Sequence, residues 1–256
     1  MPPQMTRFTD ASEPNSIALG PLVIQRLKRE EAIAFVYDRV CNRTQTDIAI
    51  CNAHTVLLAL DDPKYASVLN SMVLFNDGMG VNLASRSLEG IWFPDNLNGT
   101  DFVPYLLDRI DAPLRVFLLG AEQSSVTGAA MRIAEDCPKH QIVGVQNGFF
   151  SASEVPRICE EISEAAPDLL LVAMGNPRQE VFIHDNRHSI NATVTIGVGA
   201  LFDFVSGKVE RAPLWMRRWG LEWLFRLLQE PKRLSRRYLI GIPRFLTLIL
   251  RLKRAR

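Results

Sequence analysis

Short, largely apolar runs that stop at glycine or a small polar residue recur along this chain, with helix-length segments between them. Leu114 to Leu119 stops at Gly120, Gln141 to Val145 near Gly148, Asp168 to Ala173 at Gly175, and Thr193 to Val198 at Gly199. The intervening helices run from about Ser124 to Asp136, from Ser153 as N-cap to Ala165, and onward from Pro177 as first residue. Two earlier runs behave alike: Asp47 to Cys51 stops at Asn52, and Met72 to Phe75 stops at Asn76-Asp77-Gly78, with a helix from about His54 between them. Ile24 to Asn42 reads as a strand or turn followed by an amphipathic helix. Strands without polar alternation are buried on both faces, and strands alternating with helices build a parallel sheet covered on both sides. The fold class is therefore α/β.

The ends of the chain depart from this pattern. Residues 1–20 are rich in Pro, Ser, Thr and Asn and read as a flexible leader. Residues 21–207 form the α/β body. Residues 208–256 form a helical appendage punctuated by Pro213, Pro231 and Pro243, each where a helix can begin. Charge separates the two parts. Residues 208–256 hold fourteen Lys/Arg and three Asp/Glu, whereas residues 1–207 hold fifteen basic and twenty-five acidic residues, so a net charge of only +1 conceals a strongly basic tail. Lys232, Arg233, Arg236 and Arg237 share a helical face, and Arg244, Arg251 and Arg254 make a second stripe. Trp215, Trp219, Trp223, Phe225, Tyr238 and Phe245 lie among them. This mixture suits a helix lying on an anionic lipid surface better than a solvated charged face, because acidic counter-charges are scarce. No run approaches the roughly 20 apolar residues that span a bilayer. The absence of a basic n-region with an apolar run, and four scattered cysteines (Cys41, Cys51, Cys137, Cys159), point to a reducing, cytoplasmic location.

In a doubly wound sheet, ligands bind beyond the carboxyl ends of the strands. That rule selects Asn52, Asp77, Gly78, Gly120, Gly148, Gly175, Asn176 and Gly199. Asp77 reads either as a general base in a cleft or as part of an Asn-Asp-Gly turn. In Asn98-Gly99-Thr100-Asp101, Thr100 or Asp101 reads as a helix cap or as a ligand contact. Asn176, Arg178, Gln179 and Glu180 stand on the first turn of a helix at the sheet mouth, where they either read a sugar or base or merely connect strand to helix. No Walker A loop and no GxGxxG follows a strand, which disfavours an ordinary ATP or NAD site. The four histidines have no metal-site spacing, and no Asp-x-Asp clamp is present.

The motifs NDGMG (76–80), NGTDF (98–102), FLLGA (117–121), GNPRQE (175–180), GVGALFDFVSGKVERAP (197–213) and LEWLFRLLQEPKRLSRRY (221–238) resemble, in order and spacing, the WecG/TagA/CpsF family of bacterial glycosyltransferases (family 26). The resemblance runs from about Asn52 to Tyr238. It implies a Rossmann-like body and an appendage that meets the membrane and completes the active site with arginines. It implies an inverting, metal-independent transferase with no cofactor, moving a glucose-like or N-acetylmannosamine-like hexose from a UDP-sugar to an undecaprenyl-diphosphate-linked sugar in cell-surface or exopolysaccharide assembly. On this resemblance Asp77 is the catalytic base. Asn52, Gly78, Asn98, Thr100, Asp101, Gly120, Gly175, Asn176, Gln179 and Glu180 position substrates, and Arg211, Arg233, Arg236 and Arg237 face the diphosphate. Backbone N–H groups near Gly120 or Gly175 are further diphosphate donors.

One stretch departs from the family pattern. Many N-acetylmannosaminyl members carry Arg-Val-x-Gly where this chain has Asn96-Leu97-Asn98-Gly99, so a cation is missing from the donor loop and a neutral hexose donor is favoured. The expected partners are the UDP-sugar, the lipid-linked acceptor and anionic inner-leaflet lipids, with no nucleic acid. The resemblance also allows a homo-oligomer. The competing reading is a non-enzymatic protein that binds anions or nucleic acid through the basic tail; an α/β oxidoreductase is a third.

Overall fold

The computed structural model describes residues 15–254 apart from 214, 217 and 218, and the side chain of residue 233 is also outside the description. Eight strands form one sheet: β1 (Ser16–Leu19), β2 (Leu22–Gln25), β3 (Thr46–Cys51), β4 (Val73–Asn76), β5 (Arg115–Gly120), β6 (Gln141–Gln146), β7 (Leu169–Ala173) and β8 (Val194–Gly197). Their order across the sheet is β1-β2-β4-β3-β8-β7-β5-β6, and every pair is parallel except β1 with β2. The central strands β3, β7 and β8 are buried at every residue, as their unbroken apolar character demands.

Two layers of helices cover the sheet. Ala32 and Val36 of α1 (Arg29–Cys41), Phe102 and Leu106 of α5 (Gly99–Arg109), Ala129 and Ile133 of α6 (Gln123–Asp136) and Phe202 of α9 (Leu201–Val205) pack with Ile48, Leu118 and Leu171 on one face. Val56 of α2 (Ala53–Asp61), Tyr65 of α3 (Pro63–Asn70), Val81 of α4 (Gly78–Glu89), Ile158 of α7 (Val155–Ala165) and Phe182 of α8 (Arg178–Asn186) pack with Ala49, Leu119 and Val172 on the other. Alternate residues of one strand feed opposite cores, the period-2 signature of a two-sided sheet.

Two expectations are corrected, and one helix was not read from the sequence. Residues 1–14 of the expected leader lie outside the described residues, but Ser16–Leu19 is a paired strand, with Ile17 and Leu19 buried against β2 and the helices beyond. Two alternating apolar side chains suffice once a neighbouring strand supplies the ladder. The helix α4, which the turn-like Asn-Asp-Gly composition conceals, starts directly after Asp77. At α7, Ser151 rather than Ser153 forms the capping box, with Glu154, over a short 3₁₀ turn.

The tail folds back on the body as α10 (Glu222–Gln229), α11 (Pro231–Ser235), a π-helical turn (Arg236–Ile240) and α12 (Gly241–Arg254). Pro231 opens a helix as expected, but Pro243 sits inside the first turn of α12. A proline there removes an N–H and crowds the carbonyl four residues back; the widened π turn just upstream accommodates it. Phe245 and Ile249 of α12 are buried in the same core as Val56, Val81 and Ala84. A packed helix face therefore joins the basic face, and α2 supplies the missing counter-charge: Asp61 pairs with Arg244. An adjoining face exposes Leu246 and Leu250, and the turn before it exposes Leu239 and Ile240.

Candidate active site

The carboxyl ends of β3 and β4 place Asn52 and Asp77 side by side. Asn52 N-caps α2, its Oδ1 accepting from the N–H groups of His54 (3.0 Å) and Thr55 (3.2 Å). Capping fixes which way the amide faces, because the oxygen must meet the helix N–H groups. Nδ2 is thereby turned to Asp77, donating to Oδ2 at 3.3 Å. The N–H of Asp77 donates to the carbonyl of Cys51 at 2.8 Å, tying the two strand ends together.

Asp77 occupies the N-cap position of α4 but makes no side-chain cap hydrogen bond, so its carboxylate is not consumed by the helix it precedes. The following Gly78 has φ +84°, a conformation that a Cβ disfavours, and its N–H is held by Asn96 Oδ1 at 2.8 Å. Asn96 thus supports the backbone beside the carboxylate. Burial raises the Asp77 pKa above the ordinary carboxylate range; the Asn52 hydrogen bond and the charge of Arg237 pull it back, while the charges of Glu222 and Asp101 push it further up. Burial, with Asp77 and Glu180 nearby, also keeps the neighbouring Cys51 thiol protonated.

The tail reaches this pair directly. Arg237, on the π turn, donates from Nη2 to Asn52 Oδ1 at 3.3 Å, and its guanidinium lies over the Tyr238 ring. Burial and the charge of Arg237 together depress the His54 pKa to about 4, so this imidazole is neutral at neutral pH. Arg211 grips Asp101 with both Nη atoms (2.5 and 3.2 Å) and reaches Glu222 at 3.3 Å. Asn98, rather than Thr100 or Asp101, caps α5: its Oδ1 accepts from the Asp101 N–H (2.9 Å) and the Thr100 hydroxyl (2.7 Å). Asn98 Nδ2 also donates to Asp101 Oδ2 (3.0 Å), so the cap orients the carboxylate that meets the tail. Phe204 lies under both Arg211 and Arg226. Arg236 is exposed, and the Arg233 side chain lies outside the described residues.

A second network follows β7. Gln179 Oε1 accepts from the N–H groups of Gly175 and Gly199, each at 3.1 Å, and so ties the loops after β7 and β8. Fully buried Glu180 accepts from Gln179 Nε2 (2.7 Å), Asn176 Nδ2 (2.7 Å) and the Tyr65 hydroxyl (3.0 Å). Burial raises the Glu180 pKa, and these hydrogen bonds oppose it. The Gly175 N–H is therefore engaged within the protein. At Gly120, with φ +128°, a Cβ would sit 2.3 Å from the carbonyl oxygen of Ala173, so the glycine serves close packing of two strand ends. Gln179 and Glu180 act in these positions as organisers of the loops.

Sequence reasoning thus placed Asn52, Asp77, Asp101, Arg211 and Arg237 in one neighbourhood. It missed Glu222, His54 and Tyr65, and it read Asn96 only as a lost cation in the donor loop. Glu222 carried a usable signal, being one of only three acids in the last 49 residues.

A mostly parallel sheet with a half-buried carboxylate at its carboxyl edge, beside an arginine from a separate segment, suits a group-transfer enzyme. Comparison with known proteins makes the class specific: residues 17–256 match the model of the glycosyl transferase WecG/TagA/CpsF family, and the chain belongs to that family. It is a glycosyltransferase. It is 35% identical over 210 residues to an N-acetylglucosaminyldiphosphoundecaprenol N-acetyl-beta-D-mannosaminyltransferase of Bacillus spizizenii, covering 81% of this chain and 80% of that protein. It is 34% identical over 206 residues to the Bacillus subtilis (strain 168) protein of the same name, covering 80% and 78%.

Proposed function

We propose that this glycosyltransferase moves a hexose from a UDP-sugar onto an undecaprenyl-diphosphate-linked sugar, by single displacement with inversion and without a metal ion. The observation that carries this reading is the Asp77 carboxylate, unused by its own helix, oriented by Asn52 and within the field of Arg237 from the tail. An acceptor hydroxyl attacks the anomeric carbon opposite UDP. Asp77 takes the hydroxyl proton as the new C–O bond forms, and the bond to the β-phosphate oxygen breaks with its electron pair remaining on UDP. General-base assistance of this kind contributes roughly 10²–10⁴-fold. The charge developing on the diphosphate needs fixed cations, and Arg237 is the tail arginine placed at the Asn52–Asp77 pair to supply one.

The lipid-linked acceptor is supported by the activity named for both relatives. That name also puts UDP-N-acetylmannosamine first among donors to be tried; UDP-glucose is second, because Asn96 stands where many N-acetylmannosaminyl members carry arginine. Peripheral attachment to the inner face of a bacterial plasma membrane is supported by exposed Trp215, Trp219, Leu239, Ile240, Leu246 and Leu250 among the tail's basic residues. Anionic lipid contributes about 1 kcal/mol for each Lys or Arg near its surface. Among the described residues, no helix is long and apolar enough to cross a membrane.

The test is a transfer assay with UDP-sugars and a lipid-diphosphate-linked N-acetylglucosamine acceptor, read by mass. The wild type is expected to yield the disaccharide-lipid, and Asp77→Ala to lose it while keeping liposome binding. Undiminished transfer by Asp77→Ala removes Asp77 as the base.

A further inference from the structure

The first turn of α2 carries a side chain that neither the fold nor the proposed chemistry uses. His54 lies two residues after Asn52, and only its backbone N–H serves the Asn52 cap. Its imidazole is half-buried, yet neither ring nitrogen has a hydrogen-bond partner among the described residues. His140, by contrast, commits both of its ring nitrogens to the backbone of Leu107 and Leu114. The unpartnered ring stands at the catalytic pair. Arg237 bonds Asn52, and its charge acts on both Asp77 and His54. The adjacent Ala53 Cβ lies 3.0 Å from where a Cβ on Gly80 would sit, so the first turns of α2 and α4 converge next to Asp77. Burial and Arg237 keep the imidazole uncharged at neutral pH. One ring nitrogen then carries a proton and the other a lone pair, a pairing that suits a neutral hydroxyl, which both donates and accepts.

The course of α2 says which substrate the ring meets. Leu57 is three residues on and neighbours His54 on the helix surface. Its Cδ1 lies 3.7 Å from where a Cβ on Gly241 would sit. This side of α2 therefore leads from the Asn52–Asp77 pair to the start of α12, where exposed Leu239 and Ile240 adjoin. Those two residues belong to the surface proposed above to meet the membrane. A substrate whose anchor stays in the bilayer has to reach Asp77 from that side, whereas a soluble nucleotide sugar does not. We propose that His54 hydrogen-bonds the sugar of the lipid-linked acceptor, at a hydroxyl neighbouring the one that Asp77 deprotonates. This rests on the lipid-linked acceptor and the membrane-facing tail proposed above.

Steady-state transfer by the full-length chain and its His54→Ala and His54→Gln variants is measured with the UDP-sugar and a lipid-diphosphate-linked N-acetylglucosamine acceptor varied in turn. The α2 cap uses the His54 N–H, which both variants keep. Loss of a neutral hydrogen bond is expected to raise the acceptor KM roughly three- to tenfold in His54→Ala, with the donor KM unchanged. His54→Gln keeps a donor and an acceptor and should stay close to the wild type. The acidic limb of kcat/KM should hold its place in His54→Ala, whereas a disturbed Asn52–Asp77 pair would move it. An unchanged acceptor KM in His54→Ala, or a donor KM that rises with it, overturns the inference. The transfer reading then stands, because the wild type in the same assay reports it. A wild type that transfers nothing to the lipid-linked acceptor overturns both.

Discussion

Replacing Phe245 by alanine tests whether the tail is part of the catalytic machinery or only attached to it. Phe245 is 3% exposed and lies on α12 among Val56, Val81 and Ala84. Truncating a fully buried phenylalanine costs about 3–5 kcal/mol. The neighbouring Arg244–Asp61 pair is about half exposed on both sides, and such pairs contribute about 0–1 kcal/mol, so the apolar contact dominates the docking of α12. Even the lower figure of about 3 kcal/mol raises the population of the undocked helix more than a hundredfold, since about 1.4 kcal/mol is a factor of ten. Arg237 lies on the same rod of consecutive helical turns, eight residues or about 12 Å upstream, so undocking withdraws it from Asn52. Hydrogen exchange should show the amides of 241–254 exchanging about a hundredfold faster in Phe245→Ala while β3, β7 and β8 stay protected. Transfer should fall with them, and Arg244→Ala should change neither by more than a few-fold. An α12 that opens while transfer persists refutes a catalytic role for the tail. An α12 that stays protected refutes the assignment of its docking to Phe245.

Three further outcomes follow from the site. Arg237→Gln should move the acidic limb of kcat/KM to higher pH, because the guanidinium favours ionised Asp77, whereas Glu222→Gln should move it to lower pH by removing a repelling charge; shifts of the same sign in both would sink the electrostatic assignment. Asp77→Asn should depress transfer roughly 10²–10⁴-fold. It should also raise Tm: an acid whose folded pKa is elevated contributes stability below its unfolded pKa, and that stability is lost as pH rises through the folded value, so at neutral pH the uncharged amide is the better fit; a lower Tm contradicts the burial argument. Transfer should survive EDTA if arginines alone stabilise the departing diphosphate; activity lost to chelation and restored by Mg²⁺ or Mn²⁺ would place a cation there instead.

The sheet was legible because its central strands are buried on both faces, so β3, β7 and β8 are written as continuous apolar runs with turn residues at their ends. Strand β1 was hidden. Its four residues sit in a Pro/Ser/Thr/Asn-rich stretch, and only pairing with β2 makes Ile17 and Leu19 a core face. Helix α4 was hidden for a related reason: glycines at 78 and 80 speak for a turn locally, and burial of Val81 and Ala84 against α12 overrules them. In the site, the positions after strands followed from topology alone. Their partners did not. Arg237 meets Asn52 across 185 residues and Arg211 meets Asp101 across 110, distances over which spacing carries no signal. Arginine was visible as charge, but its address was set by tertiary packing.

The four arginines that the sequence nominates for the diphosphate are not equivalent. Arg211 is bound by two carboxylates, Asp101 and Glu222, so a diphosphate must displace an anion to recruit it. Its clearer effect is to hold the tail against the capped start of α5, which keeps Asp101 and Glu222 close enough to Asp77 to raise its pKa. Arg237 acts differently. Its charge is felt at Asp77 and at His54, and its hydrogen bond goes to the neutral amide that orients the base. A cation in that position favours the ionised form of Asp77. The docked tail therefore acts on Asp77 in two directions, Arg237 lowering its pKa and Glu222 raising it.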